Sequence, residues 1–205
     1  MNILIDHTIK SIENAEKGIS KIDDRILKLE GASDGNIRHF LNNVASLENC
    51  NYLEIGCWKG STSISAMFNN KPNKYWCVDA YNGTWDGTEI AKKTFIEKFT
   101  EIIGHSPNLI QRDSMTITNP VKECGIENVN VYLYDGDHSD EATVMALSVF
   151  MESLQNEFIY IVDDWEWWNV KGATLNAIKN LGLTTLFEST RPWWNGFYIS
   201  VLKKP

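Results

Sequence analysis

The residues best suited to chemistry in this chain are acidic and sit at the ends of two apolar runs. "VNVYLYDGDHSDEA" brings Asp135, Asp137 and His138 directly after one run, and "FIYIVDDWEWW" brings Asp163 and Asp164 directly after another. Where two such runs are neighbouring strands of a parallel sheet, their ends lie about 5 Å apart, so the side chains can converge. Converging carboxylates repel unless a cation, a base or shared protons compensate. An oxygen-preferring divalent ion such as Mg2+, completed by waters and substrate oxygens, is the usual remedy. A solvated turn is the plain alternative for a strand-end Asp-Asp pair, as a hydrogen-bonding role is for a lone histidine.

A second cluster lies upstream, in "YLEIGCWKGSTS". Gly56 and Gly60 follow an apolar run and open a helical stretch. As a dinucleotide fingerprint the turn fails. Trp58 stands where a second glycine would let the backbone approach a pyrophosphate, and Ser61 where a third would pack helix on strand. The wider spacing Glu54-x-Gly56-x-x-x-Gly60-x-Thr62 suits a ligand without a diphosphate. Its glycines permit close approach to an amino-acid portion whose carboxylate takes the helix start.

These clusters need elements to hold them. Strand candidates are "NYLEI", "KYWCVD", "NLIQR", "VNVYLYD" and "FIYIVDD", alternating with helical segments that include "STSISAMFNN", "GTEIAKKTFIEKFTEIIG" and "DEATVMALSVFMESLQN". That rhythm predicts right-handed crossovers and a parallel sheet covered on both faces. "TTLFES" and "GFYISVLKK" are joined only by "TRPWWN", a connection that suits antiparallel neighbours. A helix in "SDGNIRHFLNNVASL" is expected to be capped by Ser33 or Asp34. Ahead of it, Ile5, Ile12, Ile19 and Ile26 repeat every seven residues, interleaved with Thr8, Ala15, Ile22 and Leu29. This predicts one amphipathic helix stopped by Gly31. The expected organisation is a helical arm over 1–32, packed on its own or a partner's domain and a candidate homodimerisation element, followed by one domain over 33–205.

Composition narrows the class. With 205 residues, 43% of them apolar, the chain is long enough for one α/β domain with a full core. A net charge of -8 and no run of Lys or Arg argue against nucleic acid as a partner. No stretch reaches the roughly 18 apolar residues of a membrane span, and the acidic start does not read as a secretory leader. Four cysteines without a CxxC pair suit free thiols in a reducing compartment. A cytoplasmic protein is the expectation.

Taken in order, these features resemble class I S-adenosylmethionine-dependent methyltransferases. "LEIGCWKGSTS" is similar to their first motif. Asp79, ending "YWCVDAY", matches the acid that holds the ribose hydroxyls, and "QRDSM" puts Asp113 and Ser114 where the family contacts adenine. The reversed last strand matches too. The resemblance covers about residues 33–205 and implies a Rossmann-like α/β fold, a seven-stranded mostly parallel sheet with an antiparallel last strand. It implies cofactor contacts from Glu54, Gly56, Gly60, Ser61, Asp79, Asp113 and Ser114. Taken singly, Asp79 and Asp113 can be read as caps and Gly56 as a tight turn.

The closest pattern within the family is the metal-dependent O-methyltransferase group, of the catechol and macrocin types (methyltransferase family 24). Aligned by motif, Asp135, Asp163 and Asp164 fall on its metal-ligand positions and His138 on its base. Asp164 departs from the asparagine common in the catechol type. Asp137 is a further ligand or a supporting acceptor. The resemblance implies S-adenosylmethionine, a divalent metal, expected to be Mg2+, and a small-molecule methyl acceptor bearing a phenol, catechol or sugar hydroxyl. Trp165 and Trp194 are equally suited to lining an acceptor pocket or to packing, and the remaining tryptophans to packing. The competing reading is a noncatalytic binding module of the same fold acting through its helical arm. His7, His39 and His105 are expected to be structural or exposed.

Overall fold

The structure is a computed structural model that describes residues 2–82 and 88–205. Seven strands form one sheet: β1 (Asn51–Ile55), β2 (Lys74–Asp79), β3 (Leu109–Gln111), β4 (Val129–Tyr134), β5 (Leu154–Val162), β6 (Thr184–Arg191) and β7 (Phe197–Lys203), in the order β3-β2-β1-β4-β5-β7-β6. β1 to β5 pair in parallel. β7 runs antiparallel between β5 and β6. The Rossmann-like sheet with a reversed last strand is therefore as the sequence predicts, and every strand candidate is a strand.

The strands read as apolar on both sides because both sides are covered. Along β4 and β5, Val131, Leu133, Ile159 and Ile161 face one cluster, whereas Tyr132, Tyr134, Phe158, Tyr160 and Val162 face the other. The first face is covered by α1 (Ile3–Glu16), α2 (Asp24–Leu27), α3 (Gly35–Val44), α4 (Ser61–Met67) and α5 (Thr88–Ile103), through Ile12, Phe40, Ile64 and Phe95. The second is covered by α6 (Pro120–Cys124), α7 (Asp140–Phe150) and α8 (Val170–Asn180), through Leu147, Phe150 and Ile178. The helical reading of 87–104 begins at Gly87, which lies outside the described residues, as does Trp85.

The N-terminal segment corrects one expectation. It is two helices with a turn between them, and Gly31 caps neither. Gly18 adopts φ +65°, its N–H donates to the Ala15 carbonyl, and the Ile19 N–H donates to that of Asn14. This is the paired-bond stop that a left-handed glycine closes. The heptad stripe runs through the break because it reflects burial on a globular core. Ile12, Ala15 and Ile26 are buried there, whereas Ile19, beyond the turn, is 53% exposed. Asn2 caps α1 and also donates to Glu157 at 2.8 Å, tying the helix start to β5. Of the two cap candidates for α3, Asp34 accepts from the Ile37 N–H at 2.9 Å.

Candidate functional site

The parallel register assembles the site. Ile55 pairs with Val78 and with Tyr134, and Tyr134 pairs with Val162. The residues that follow each of them, Gly56, Asp79, Asp135 and Asp163, therefore stand in one row along the carboxyl edge of the sheet, where open α/β sheets bind ligands.

On the glycine-turn side, Glu54 lies beneath the rim. It is fully buried and accepts from Tyr52 Oη at 2.8 Å, Thr62 Oγ1 at 2.6 Å and Ser63 Oγ at 2.8 Å. Burial pushes its carboxyl up, and the three hydroxyls partly offset that. Glu54 thus fastens α4 to β1. The glycines are required by close approaches within the protein. A Cβ on Gly56 (φ +87°) would lie 1.8 Å from the Asp135 carbonyl oxygen, and one on Gly60 (φ +82°) 2.0 Å from the Phe95 ring. Ser61 lies against Ser33, with the two Oγ atoms 3.3 Å apart.

Asp79 organises the turn from the next strand. Its Oδ2 accepts from the Cys57 and Trp58 N–H groups, both at 2.8 Å, and its Oδ1 from the Tyr81 N–H at 2.8 Å. Tyr81, which the sequence reading passed over, donates its hydroxyl to the Trp58 carbonyl at 2.9 Å and straps the two loops together. Asp113 caps a short 3-10 turn (Ser114–Thr116), accepting from the Met115 N–H at 2.9 Å.

On the other side of Gly56, Asp135, His138 and Asp164 converge, each offering a ligand atom within 4.8 Å of the others. Among the described residues this is the one such group. It contains two of the three expected metal ligands, and the expected base, His138, in place of the third. Asp163 stands behind, 3% exposed, its Oδ1 accepting from the Asp164 N–H at 2.9 Å. Asp164 turns outward from β5 in a left-handed conformation, φ +51°. Asn195 donates to its Oδ1 at 2.9 Å. His138 Nε2 lies 3.0 Å from Asp164 Oδ2, yet it lacks hydrogen-bond geometry to any partner. Burial, then Asp163 and Asp164, push the Asp135 carboxyl up. Burial and Asp164 push Asp163 up to about 7. Asp137 is exposed and accepts from the Ser139 N–H at 2.8 Å, away from the ligand set.

The tryptophans divide differently from expectation. Trp165 is buried, stacked on Tyr198 with ring centroids 4.2 Å apart, and also lines a cleft of about 450 Å3. Trp167 lies over the His138 ring at 4.7 Å and lines the same cleft with Trp168. At 44% and 90% exposure these two do not pack as the sequence suggested. Their apolar stretch points to burial, but the loop carries them past the end of β5. Trp194 is half exposed and lies outside that lining. Trp193 packs between Phe40 and Phe197. Of the remaining histidines, His7 and His39 hydrogen-bond within the N-terminal helices and His105 is exposed.

Solved structures similar to the chain include an O-methyltransferase from Bacillus cereus in complex with SAH, with TM-score 0.63, 12% identity, and coverage of 97% of this chain and 91% of that one. A putative O-methyltransferase from Klebsiella pneumoniae aligns with TM-score 0.61, 13% identity, and coverage of 96% and 89%. TrmN from Thermus thermophilus aligns with TM-score 0.63 and 12% identity over 88% of this chain, which spans about half (52%) of TrmN. At these identities the likeness is one of fold. No curated protein matches in sequence. A family described as a methyltransferase domain matches residues 53–165, more than half of the chain, from within β1 to just past the Asp163–Asp164 pair. The chain belongs to this methyltransferase-domain family.

Proposed function

We propose that the protein transfers a methyl group from S-adenosylmethionine to the hydroxyl of a small-molecule acceptor, assisted by a divalent cation. The observation that carries this reading is the single row in which Gly56 and Asp79 adjoin Asp135 and Asp163, so that a donor site and an acidic site share one strand end. SAH in the Bacillus cereus structure supports the donor's identity. The net charge of -8 favours a small acceptor over nucleic acid.

Asp79 would receive a ribose hydroxyl on Oδ1, which takes one backbone N–H group whereas Oδ2 takes two, since a carboxylate offers about four acceptor sites. Asp113 and Ser114 would border the adenine, and the Gly56–Ser61 turn the amino-acid portion. Bound there, S-adenosylmethionine supplies an electrophilic methyl carbon on a cationic sulfur. Asp135, His138 and Asp164 fit a divalent cation, because two carboxylates and an imidazole nitrogen without a hydrogen bond face one centre. Such an ion supplies Lewis acidity that lowers the pKa of a hydroxyl. Mg2+ and Mn2+ both match the carboxylates. The acceptor's proton would pass to Asp163, which follows β5 in the same row as Asp135 and whose carboxyl burial and Asp164 push up to about 7. As the carbon–oxygen bond forms the carbon–sulfur bond breaks, which yields the methyl ether and the neutral thioether.

Calorimetric titration of S-adenosylhomocysteine, with Mg2+ or Mn2+ and then with a chelator, tests both halves. Asp79→Ala is expected to weaken binding at least tenfold, whereas His138→Ala and Asp164→Asn are expected to keep it and lose cation binding. Unchanged affinity in Asp79→Ala would refute the donor site. Retained cation affinity in His138→Ala would return that residue to the role of base.

A further inference from the structure

The loop after β5 leaves an indole almost bare between two clefts. Trp168 is 90% exposed and lines both the cleft of about 450 Å3 and a second of about 350 Å3. The first lies between the Trp165–Lys171 segment and the β6–β7 turn, the second between the starts of α7 and α8. An exposed indole keeps its large apolar face in water, and its natural use is to stack on a flat apolar ring face. Polar side chains interleave with the apolar part of each lining. Glu166, Lys171 and Arg191 project around the first cleft. Asp140, Asn169 and Asn176 project around the second.

Arg191 is held in place. Its Nε pairs with Glu16 Oε1 at 2.9 Å and its Nη1 donates to Ser189 Oγ at 2.6 Å. Indoles interleaved with planar donors and acceptors suit a ring with one apolar face and a rim of hydroxyls. Two such clefts astride one indole suit more than one ring.

We infer that the acceptor is a glycan chain of at least two sugar units lying across Trp168, with one unit in each cleft. The inference rests on the methyl-transfer reading for its catalytic sense. Trp167, which lines the first cleft and lies over His138, connects that unit to the acidic cluster. In the second cleft nothing stands within 4 Å of a Cβ built on Gly172. A longer side chain there would fill the space without straining the fold.

The test uses the full chain and titrates chito-, malto-, cello- and galacto-oligosaccharides of one to four units, and catechol, with and without S-adenosylhomocysteine. At least one glycan series is expected to gain about tenfold in affinity between one and three units. Trp168→Ala and Gly172→Gln, both at sites whose replacement leaves the core intact, are expected to abolish that gain. No dependence on chain length in any series, or the same dependence in both variants, would overturn the inference. Because glycan binding is read without the cofactor product as well, its failure is distinct from failure of the donor site, which would appear as absent S-adenosylhomocysteine binding.

Discussion

At the residue scale, the acidic side chains of this protein do several different jobs, and their surroundings decide which. Glu54 is sealed among hydroxyls and fastens a helix, Asp79 gathers N–H groups in a turn, and Asp135 is pressed upward by burial and then by neighbouring carboxylates. Glu123 is the opposite case. It accepts from Thr118 Oγ1 at 2.7 Å and the Asn119 N–H at 2.7 Å, and pairs with Arg112 Nη1 at 2.5 Å. Hydrogen bonds from Thr118 and Asn119, with help from Arg112, pull its carboxyl down from 4.5 to about 2. A depressed folded-state value means that the charged form favours the native state. Its contribution is full above about pH 4.5 and is lost as pH falls toward 2. Urea unfolding across pH should therefore find the wild type more stable than Glu123→Gln at pH 6, with the gap closing between pH 5 and pH 2. A gap independent of pH would show that the carboxylate contributes nothing through its charge. The segment at stake carries Asp113 and Ser114, so the same acid loosening should weaken the proposed adenine contact.

At the element scale, the break in the N-terminal helix gives a prediction whose sign separates two structures. In a continuous helix Gly18→Ala would stabilise, by up to about 1 kcal/mol. At φ +65° the same change forces a Cβ into the left-handed region and costs about 1–2 kcal/mol, although only His39 Nε2, at an ordinary 3.7 Å, comes near it. Thermal melts should show a drop of a few degrees, since for a chain of this size each 1 kcal/mol moves the midpoint by about 2–4 °C. A raised midpoint would restore the single helix. The heptad pattern hid this turn because hydrophobic spacing reports which residues are buried and says little about the path between them. Strands were easier to read, since alternating with helices and covered on both faces they leave few other topologies. α6 and α8 were not singled out: one is five residues long, and the other begins in a tryptophan-rich loop without a side-chain cap. The site was legible as strand-end acids. Which of those acids meet was not, because the left-handed Asp164 and the tilted ring contact of Trp167 with His138 are set by contacts distant in sequence.

At the scale of the whole molecule, the N-terminal helices form part of the core, and that settles what their removal should do. Ile12, Ala15 and Ile26 lie within the cluster that covers one sheet face, and Arg38 Nη1 donates to the Ile26 and Leu27 carbonyls at 2.8 and 3.0 Å. Stripping residues 1–32 would expose the apolar partners of those side chains and leave a buried guanidinium short of two acceptors. At about 1.5–3 kcal/mol for each large buried apolar side chain, the loss from the two isoleucines alone reaches several kcal/mol. That is a large share of the roughly 5–15 kcal/mol that holds a domain together. A chain of residues 33–205 should therefore lose its near-ultraviolet dichroism and its sharp thermal transition. A peptide of residues 1–32 added in trans should restore part of both. An independent dimerising arm predicts the reverse: the same melt as the full chain, and a change confined to sedimentation. The two outcomes also bear on catalysis, because Glu30 pairs with Lys59 in the glycine turn and Glu16 holds Arg191 at the rim of the cleft. If the helices are core, their loss must disturb the donor and acceptor ends of the site together.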